Sequence, residues 1–286
     1  MTSTPLLSLL VAASFPLALA AQRPAAQTPQ SPGAPGGLPP SEAQAKAALD
    51  RSPRHGEYVN VNMPGGERPL RAWVVYPERN DKAPVVIVIH EIFGLSDWIR
   101  AVADQLAKEG FIAIAPDLIT GKGPGGGGTD SLASRDGVVK LVTSLTPAEV
   151  KTRLDATREY ATALPAASGT VGTVGFCWGG GVSFAYAAQP GVKAAVVYYG
   201  TPPASDVMAS IGAHVLGLYG GDDARVTSTV EPTKAGMAKL RKAYEAEIYS
   251  GAGHGFLRAQ EDRNGANLKA AEQAWPRTLA FLRGYL

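Results

Sequence analysis

The chain has 286 residues, a formal net charge of +2 and a hydrophobic fraction of 45%. So small a charge imbalance, with no long Lys/Arg run, gives no electrostatic pull toward nucleic acid or anionic lipid. The apolar content is that of a globular domain, and the single Cys excludes both an internal disulfide framework and a zinc site of paired thiolates.

Residues 1–20 carry no charged side chain. The apolar run Leu6–Ala13, then Pro16 and the small-x-small Ala18-Leu19-Ala20, reads as a secretory signal peptide, although its start lacks Lys and Arg. The expected location is secreted or periplasmic. No Cys follows Ala20 to carry a lipid, and no later apolar run reaches about 18 residues, so no membrane span is expected in the mature chain. Residues 21–50 read as a disordered Pro/Ala/Gln-rich linker, with Pro at 24, 29, 32, 35, 39 and 40. Within it, Ser41–Leu49 can form a short helix leading into the domain.

Glu57–Asn62 and Leu70–Val75 read as two strands, with Pro64-Gly65-Gly66 as the hairpin signal. Val85–Ile89 is a continuous β-branched run, the pattern of a strand covered on both faces. Asp97 can cap a helix in which Trp98, Ile99, Val102, Leu106 and Ala107 share a face, closed by Gly110. With Phe111–Ala115 as the next buried strand this makes a βαβ unit, hence a parallel sheet. The six glycines of Gly121–Gly128 form a flexible loop, which lacks the Lys-Ser/Thr ending of a P-loop. Thr146, Pro147 and Glu149 open a helix as N-cap, first residue and third residue, and it runs to Leu164. Strands follow at Thr170–Phe176, Val192–Tyr199, His214–Tyr219 and Ala246–Tyr249, with helices at Trp178–Ala188, Thr229–Tyr244 and Leu268–Leu286. The expectation is a single α/β domain over residues 51–286, with a mostly parallel central sheet, an N-terminal antiparallel hairpin and helices on both faces.

Gly175-Phe176-Cys177-Trp178-Gly179 lies between a predicted strand and a predicted helix. With Ser at its centre this is the nucleophile elbow of α/β-hydrolases. The flanking residues must be small, so that the helix packs close to the strand while the central residue is held in a tight strained turn. The turn lifts the Cys177 sulfur to the C-terminal edge of the sheet, and the helix N-terminus behind it favours thiolate and oxyanion. The competing reading is an inert buried cysteine. A free thiol is mostly protonated at neutral pH and needs a base, and there are four histidines. His55 lies near the domain's N-terminal edge, and His214 opens a predicted core strand as a packed side chain. His90 and His254 both sit at strand ends, and His254 has a glycine on either side. Asp222 and Asp223 follow another strand. The order Cys177, Asp, His254 is that of the hydrolase triad, and either aspartate can be the acid, the alternative for each being a turn-forming residue.

Together, His90-Glu91-Ile92-Phe93-Gly94-Leu95, Ala115-Pro116-Asp117-Leu118, the Cys177 elbow, Gly220-Gly221-Asp222-Asp223 and Gly253-His254-Gly255-Phe256 resemble the dienelactone hydrolase family over residues 57–286. The resemblance implies an α/β-hydrolase fold and a Cys177-Asp223-His254 triad. Asp223 is preferred to Asp222 because the family's acid stands three positions before the valine matched by Val226. The family's glutamate falls on Glu91, where it contacts the thiol and takes its proton when substrate binds. Arg258 matches an arginine that holds the substrate carboxylate, a task suited to a guanidinium fork. Arg135 is a candidate for a second such arginine. Cys177 would attack an ester or lactone carbonyl, with the oxyanion held by the N–H groups of Ile92 and Trp178. The expected partner is a small-molecule ester or lactone, and no cofactor or metal is expected. The expected substrate is dienelactone-like and carboxylate-bearing, but the founding activity of the family is cytosolic aromatic breakdown, and export of this chain weakens that assignment. The alternatives are a general carboxylesterase or thioesterase of the same fold, and a non-catalytic ligand-binding member.

Overall fold

The structure is a computed structural model, and it describes residues 1–2 and 37–286. Nearly all of the expected signal peptide and residues 21–36 of the expected linker lie outside the described residues. In chain order the elements are α1 (Glu42–Asp50), β1 (Gly56–Val61), β2 (Leu70–Val75), β3 (Ala83–Ile89), α2 (Asp97–Lys108), β4 (Ile112–Pro116), α3 (Arg135–Thr143), α4 (Pro147–Thr162), β5 (Ala167–Phe176), α5 (Trp178–Tyr186), β6 (Val192–Tyr198), α6 (Ser205–Ser210), β7 (His214–Gly220), α7 (Ala224–Thr227), α8 (Val230–Lys239), β8 (Tyr244–Tyr249) and α9 (Ala266–Tyr285).

The strands form one eight-stranded sheet in the order β1-β2-β4-β3-β5-β6-β7-β8. β1 and β2 make the antiparallel hairpin, and β2 runs antiparallel to β4. The remaining pairs are parallel, from β4–β3 through to β7–β8. The parallel strands therefore send the segments after β3, β5, β6, β7 and β8 to one edge, where ligands of open α/β sheets bind.

The β-branched run of β3 serves two cores at once. Val86 and Val88 face a cluster that includes Trp98 and Leu106 of α2 and Trp275 and Leu282 of α9. Val85, Ile87 and Ile89 face a second cluster with Leu154 of α4, Phe184 of α5 and Met237 of α8. Helices thus cover both faces, which is why the run does not alternate with polar residues.

The capping box of α4 is formed, Thr146 and Glu149 serving each other's backbone N–H groups. In α2 the cap is one residue earlier than expected. Ser96 Oγ accepts the Ile99 N–H at 3.4 Å, and Asp97 is the first helical residue. His214 is exposed on its strand, not packed in the core, and its ring stacks on Tyr285 at 3.8 Å.

The end of the segment assigned to the linker is folded. Helix α1 buries Ala45 against α2, and the chain leading to it is held by its carbonyls. Gly37 O accepts from Gln105 Nε2 at 2.6 Å, Pro39 O from Gln260 Nε2 at 2.9 Å and Pro40 O from Trp98 Nε1 at 3.1 Å. Residues 37–50 therefore belong to the domain, and a disordered linker cannot extend to residue 50. Among the described residues no helix is long and apolar enough to cross a membrane.

Candidate active site

Cys177 stands between β5 and α5 with φ 54° and ψ −116°, a conformation costly for a residue with a side chain. Its surroundings hold it there. Its N–H donates to Tyr198 O at 3.0 Å. A Cβ on Gly179 would lie 2.3 Å from His90 O, and one on Gly175 would lie 2.0 Å from Gly179 O. Helix α5 thus touches bare backbone at the ends of β3 and β5, which requires glycine at both positions.

The histidine and acid come from the neighbouring strand ends. His254 Nδ1 lies 2.5 Å from Asp223 Oδ2, and the carboxylate is buried while the imidazole is partly open. Asp222 turns away, to an ion pair with Arg263 at 3.2 Å. His55 is exposed beside Glu57. The thiol makes no hydrogen bond to the imidazole. Burial, and after it the charge of Glu91, pushes the Cys177 pKa up. The Trp178 N–H, Arg225 and Arg258 oppose that rise. Neither the Ile92 nor the Trp178 N–H donates to a backbone carbonyl among the described residues, and the Trp178 N–H is directed at the Cys177 sulfur.

Glu91 is almost wholly buried, its side chain 4% exposed, and one carboxylate oxygen lies 2.8 Å from Arg258 Nε. That N–H is not aimed at the oxygen, so the contact is an ion pair and not an aligned hydrogen bond. Burial dominates and pushes the Glu91 pKa up to about 7, with Arg258 pulling it down and Glu42 adding to the rise. His90 positions this segment. Its Nδ1 lies 2.7 Å from Glu91 O, and its Nε2 accepts the Leu118 N–H at 3.2 Å. A carbonyl can only accept and an amide can only donate, so the ring is neutral with the proton on Nδ1. Burial also lowers its pKa. Asp117, from the Ala-Pro-Asp-Leu motif, receives the Thr129 N–H and hydroxyl at 2.7 and 2.8 Å, while Thr129 Oγ1 receives the Leu95 N–H at 3.0 Å. This ties the glycine-rich loop to the turn that carries Glu91.

Arg258 and Arg135 are brought together over the Phe93 ring, their guanidinium carbons 5.3 and 3.5 Å from its centroid. Both are already paired. Glu42 gives one oxygen to Arg258 Nη1 and the other to Arg135 Nη2, the latter at 3.2 Å. Composition alone placed Glu42 in the linker, so no local signal marked it. Tyr199 also escapes sequence reasoning. It has φ 42°, its ring centroid is 5.0 Å from that of His254, and its buried hydroxyl has no partner. Among the described residues no three His, Cys, Asp or Glu side chains gather as metal ligands would.

Comparison with known proteins places the chain in a family. A family model described as the dienelactone hydrolase family matches residues 70–286. A Methylorubrum extorquens protein assigned as a carboxymethylenebutenolidase is 32% identical over 260 residues, covering 86% of this chain and 87% of its own length. A protein of Escherichia coli strain K12 with the same assignment is 31% identical, covering 80% of this chain and 86% of its own. A crystal structure from Klebsiella pneumoniae, assigned as a dienelactone hydrolase, superposes with a TM-score of 0.71 at 30% identity, covering 81% of this chain and 99% of the other.

Proposed function

The chain belongs to the dienelactone hydrolase family, hydrolases of ester or lactone bonds, and from that premise we propose that it works through Cys177, His254 and Asp223 by way of a thioacyl intermediate. The observation that carries this reading is the 2.5 Å contact between His254 and Asp223 on the sheet edge where the strained Cys177 elbow stands.

The thiol rests protonated in its buried position, because ionising it there opposes both burial and the Glu91 charge. Glu91 is the nearby proton acceptor. Burial holds its pKa at about 7, so its carboxylate can take the thiol proton near neutral pH. The Cys177 thiolate then attacks the carbonyl carbon, and the C–S bond forms as the oxyanion settles on the Ile92 and Trp178 N–H groups. The C–O bond breaks, the alkoxide leaves with the proton that Glu91 took from the thiol, and Glu91 is a carboxylate again. His254, held through Nδ1 by Asp223, next deprotonates water, which attacks the thioester. The carboxylic acid leaves and the C–S bond breaks, returning the thiolate for reprotonation.

The family resemblance ties Arg258 and Arg135 to a carboxylate on the substrate. A general carboxylesterase is the second reading, and the pairing of both arginines with Glu42 favours it. The Leu6–Ala13 run and Ala18-Leu19-Ala20 support export from the cytosol.

Rapid mixing with a chromogenic aryl ester tests the nucleophile. The wild type should release a stoichiometric burst of phenolate and Cys177→Ala should release none. A full burst from Cys177→Ala, or none from the wild type, would end the thioacyl proposal.

A further inference from the structure

Glu42 is the first residue of α1, and its carboxylate spans the two arginines that the resemblance assigns to substrate. Its placement is firm. The Glu42 N–H donates to Arg258 O at 2.9 Å, so backbone and side chain both bind the same arginine. The neighbouring Ser41 is buried, with its hydroxyl on Glu261. Upstream, three carbonyls accept from Gln105, Gln260 and Trp98, and downstream Ala45 is fully buried.

A carboxylate fixed within the same chain has already lost its translational freedom, so one arriving from solution competes at a disadvantage. The charges are also met. Arg258 faces Glu42 and Glu91, and Arg135 faces Glu42. An incoming carboxylate would either displace an anchored side chain or enter beside it as a like charge.

We infer that Glu42 is a specificity-determining residue: it fills the arginine pair with an internal carboxylate, so the cleft takes esters with an uncharged acyl group and rejects those whose acyl group carries a carboxylate. The inference rests on the hydrolase reading above and narrows its substrate class.

The test compares 4-nitrophenyl butyrate with mono-4-nitrophenyl succinate, on the mature full-length chain and on Glu42→Gln. The wild type should favour the butyrate in kcat/KM. Glu42→Gln frees two guanidinium groups for charge-assisted hydrogen bonds, and should shift the ratio toward the succinate by about 10- to 100-fold, mainly through KM. Adding Arg135→Gln to Glu42→Gln should remove much of that gain, which a general loosening of the fold would not do. A wild type that already favours the succinate overturns the inference, whatever the variants' stability. So does a ratio unmoved in a folded Glu42→Gln. If the wild type turns over neither ester, the hydrolase reading falls and takes the inference with it. Turnover of the butyrate with an unmoved ratio defeats the inference alone.

Discussion

Glu91, the proton acceptor of the proposed mechanism, is also a buried carboxyl whose ionisation bears on stability. Its pKa is raised from the ordinary 4.5 to about 7, chiefly by burial. The folded chain therefore holds this proton more tightly than the unfolded chain does. Its contribution to stability is complete below about pH 4.5, declines as pH rises toward 7, and is lost above that. The size of the loss is about 3 kcal/mol, the full shift of a group with almost no solvent around it. Glu91→Gln keeps the shape and removes the titration. Urea unfolding at pH 5 and pH 8 should show the wild type losing about 2.5 kcal/mol more than the variant over that interval, since part of the loss has already occurred by pH 5, while equal losses would mean that Glu91 ionises at an ordinary pH. At this scale legibility followed flanking chemistry. Cys177 and His254 sit among glycines that only a tight turn needs, and both stood out. Choosing Asp223 over Asp222 needed the family's spacing, because two adjacent acids in a turn look alike. Tyr199 could not be found, since its place beside His254 depends on a left-handed backbone at the end of an ordinary apolar strand.

Among the elements, the junction of β5 and α5 carries the greatest demand. Gly179 lets α5 approach within contact of the Ile89 and His90 carbonyls, and a methyl there would sit 2.5 and 2.3 Å from those two oxygens. The helix or the end of β3 must move, and both hold groups assigned a role in the proposed reaction: Trp178 on one side, Glu91 and Ile92 on the other. Gly179→Ala should cost about 1–3 kcal/mol of stability and lower kcat/KM by tenfold or more, roughly what a displacement approaching 1 Å does to a positioned site. Gly284, near the end of α9, has nothing within 4 Å of its absent Cβ. Gly284→Ala should be neutral or slightly stabilising, so thermal melts of the two variants separate the close approach from helix propensity. The strands were legible because burial on two faces leaves an unbroken apolar run, as in β3. Boundaries were less so. Ser96 and Asp97 are both good caps, and only the hydrogen bond to Ile99 decides between them.

At the scale of the whole molecule, the folded unit begins earlier than composition suggested. Proline and alanine in residues 37–50 signal a linker when read alone. What holds the stretch is tertiary: backbone carbonyls that satisfy Gln105, Trp98 and Gln260, and one small residue, Ala45, that fits against α2. None of those partners is near in sequence, so no local pattern could reveal them. The consequence can be measured by comparing a chain beginning at residue 37 with one beginning at residue 51. The shorter chain leaves three donors without their acceptors and exposes the surface that α1 covers. Solvent would reach some of these groups, yet each donor left buried and unpaired costs about 1–3 kcal/mol. The shorter chain should therefore unfold at lower urea, with a stability deficit of roughly 3 kcal/mol or more. It also lacks Glu42, so whatever folded fraction survives should handle the succinate monoester better relative to the butyrate than the longer chain does. Coincident unfolding curves would show that the arm rests on the domain without supporting it, and would leave Glu42's hold on the arginines to be set by its charge alone.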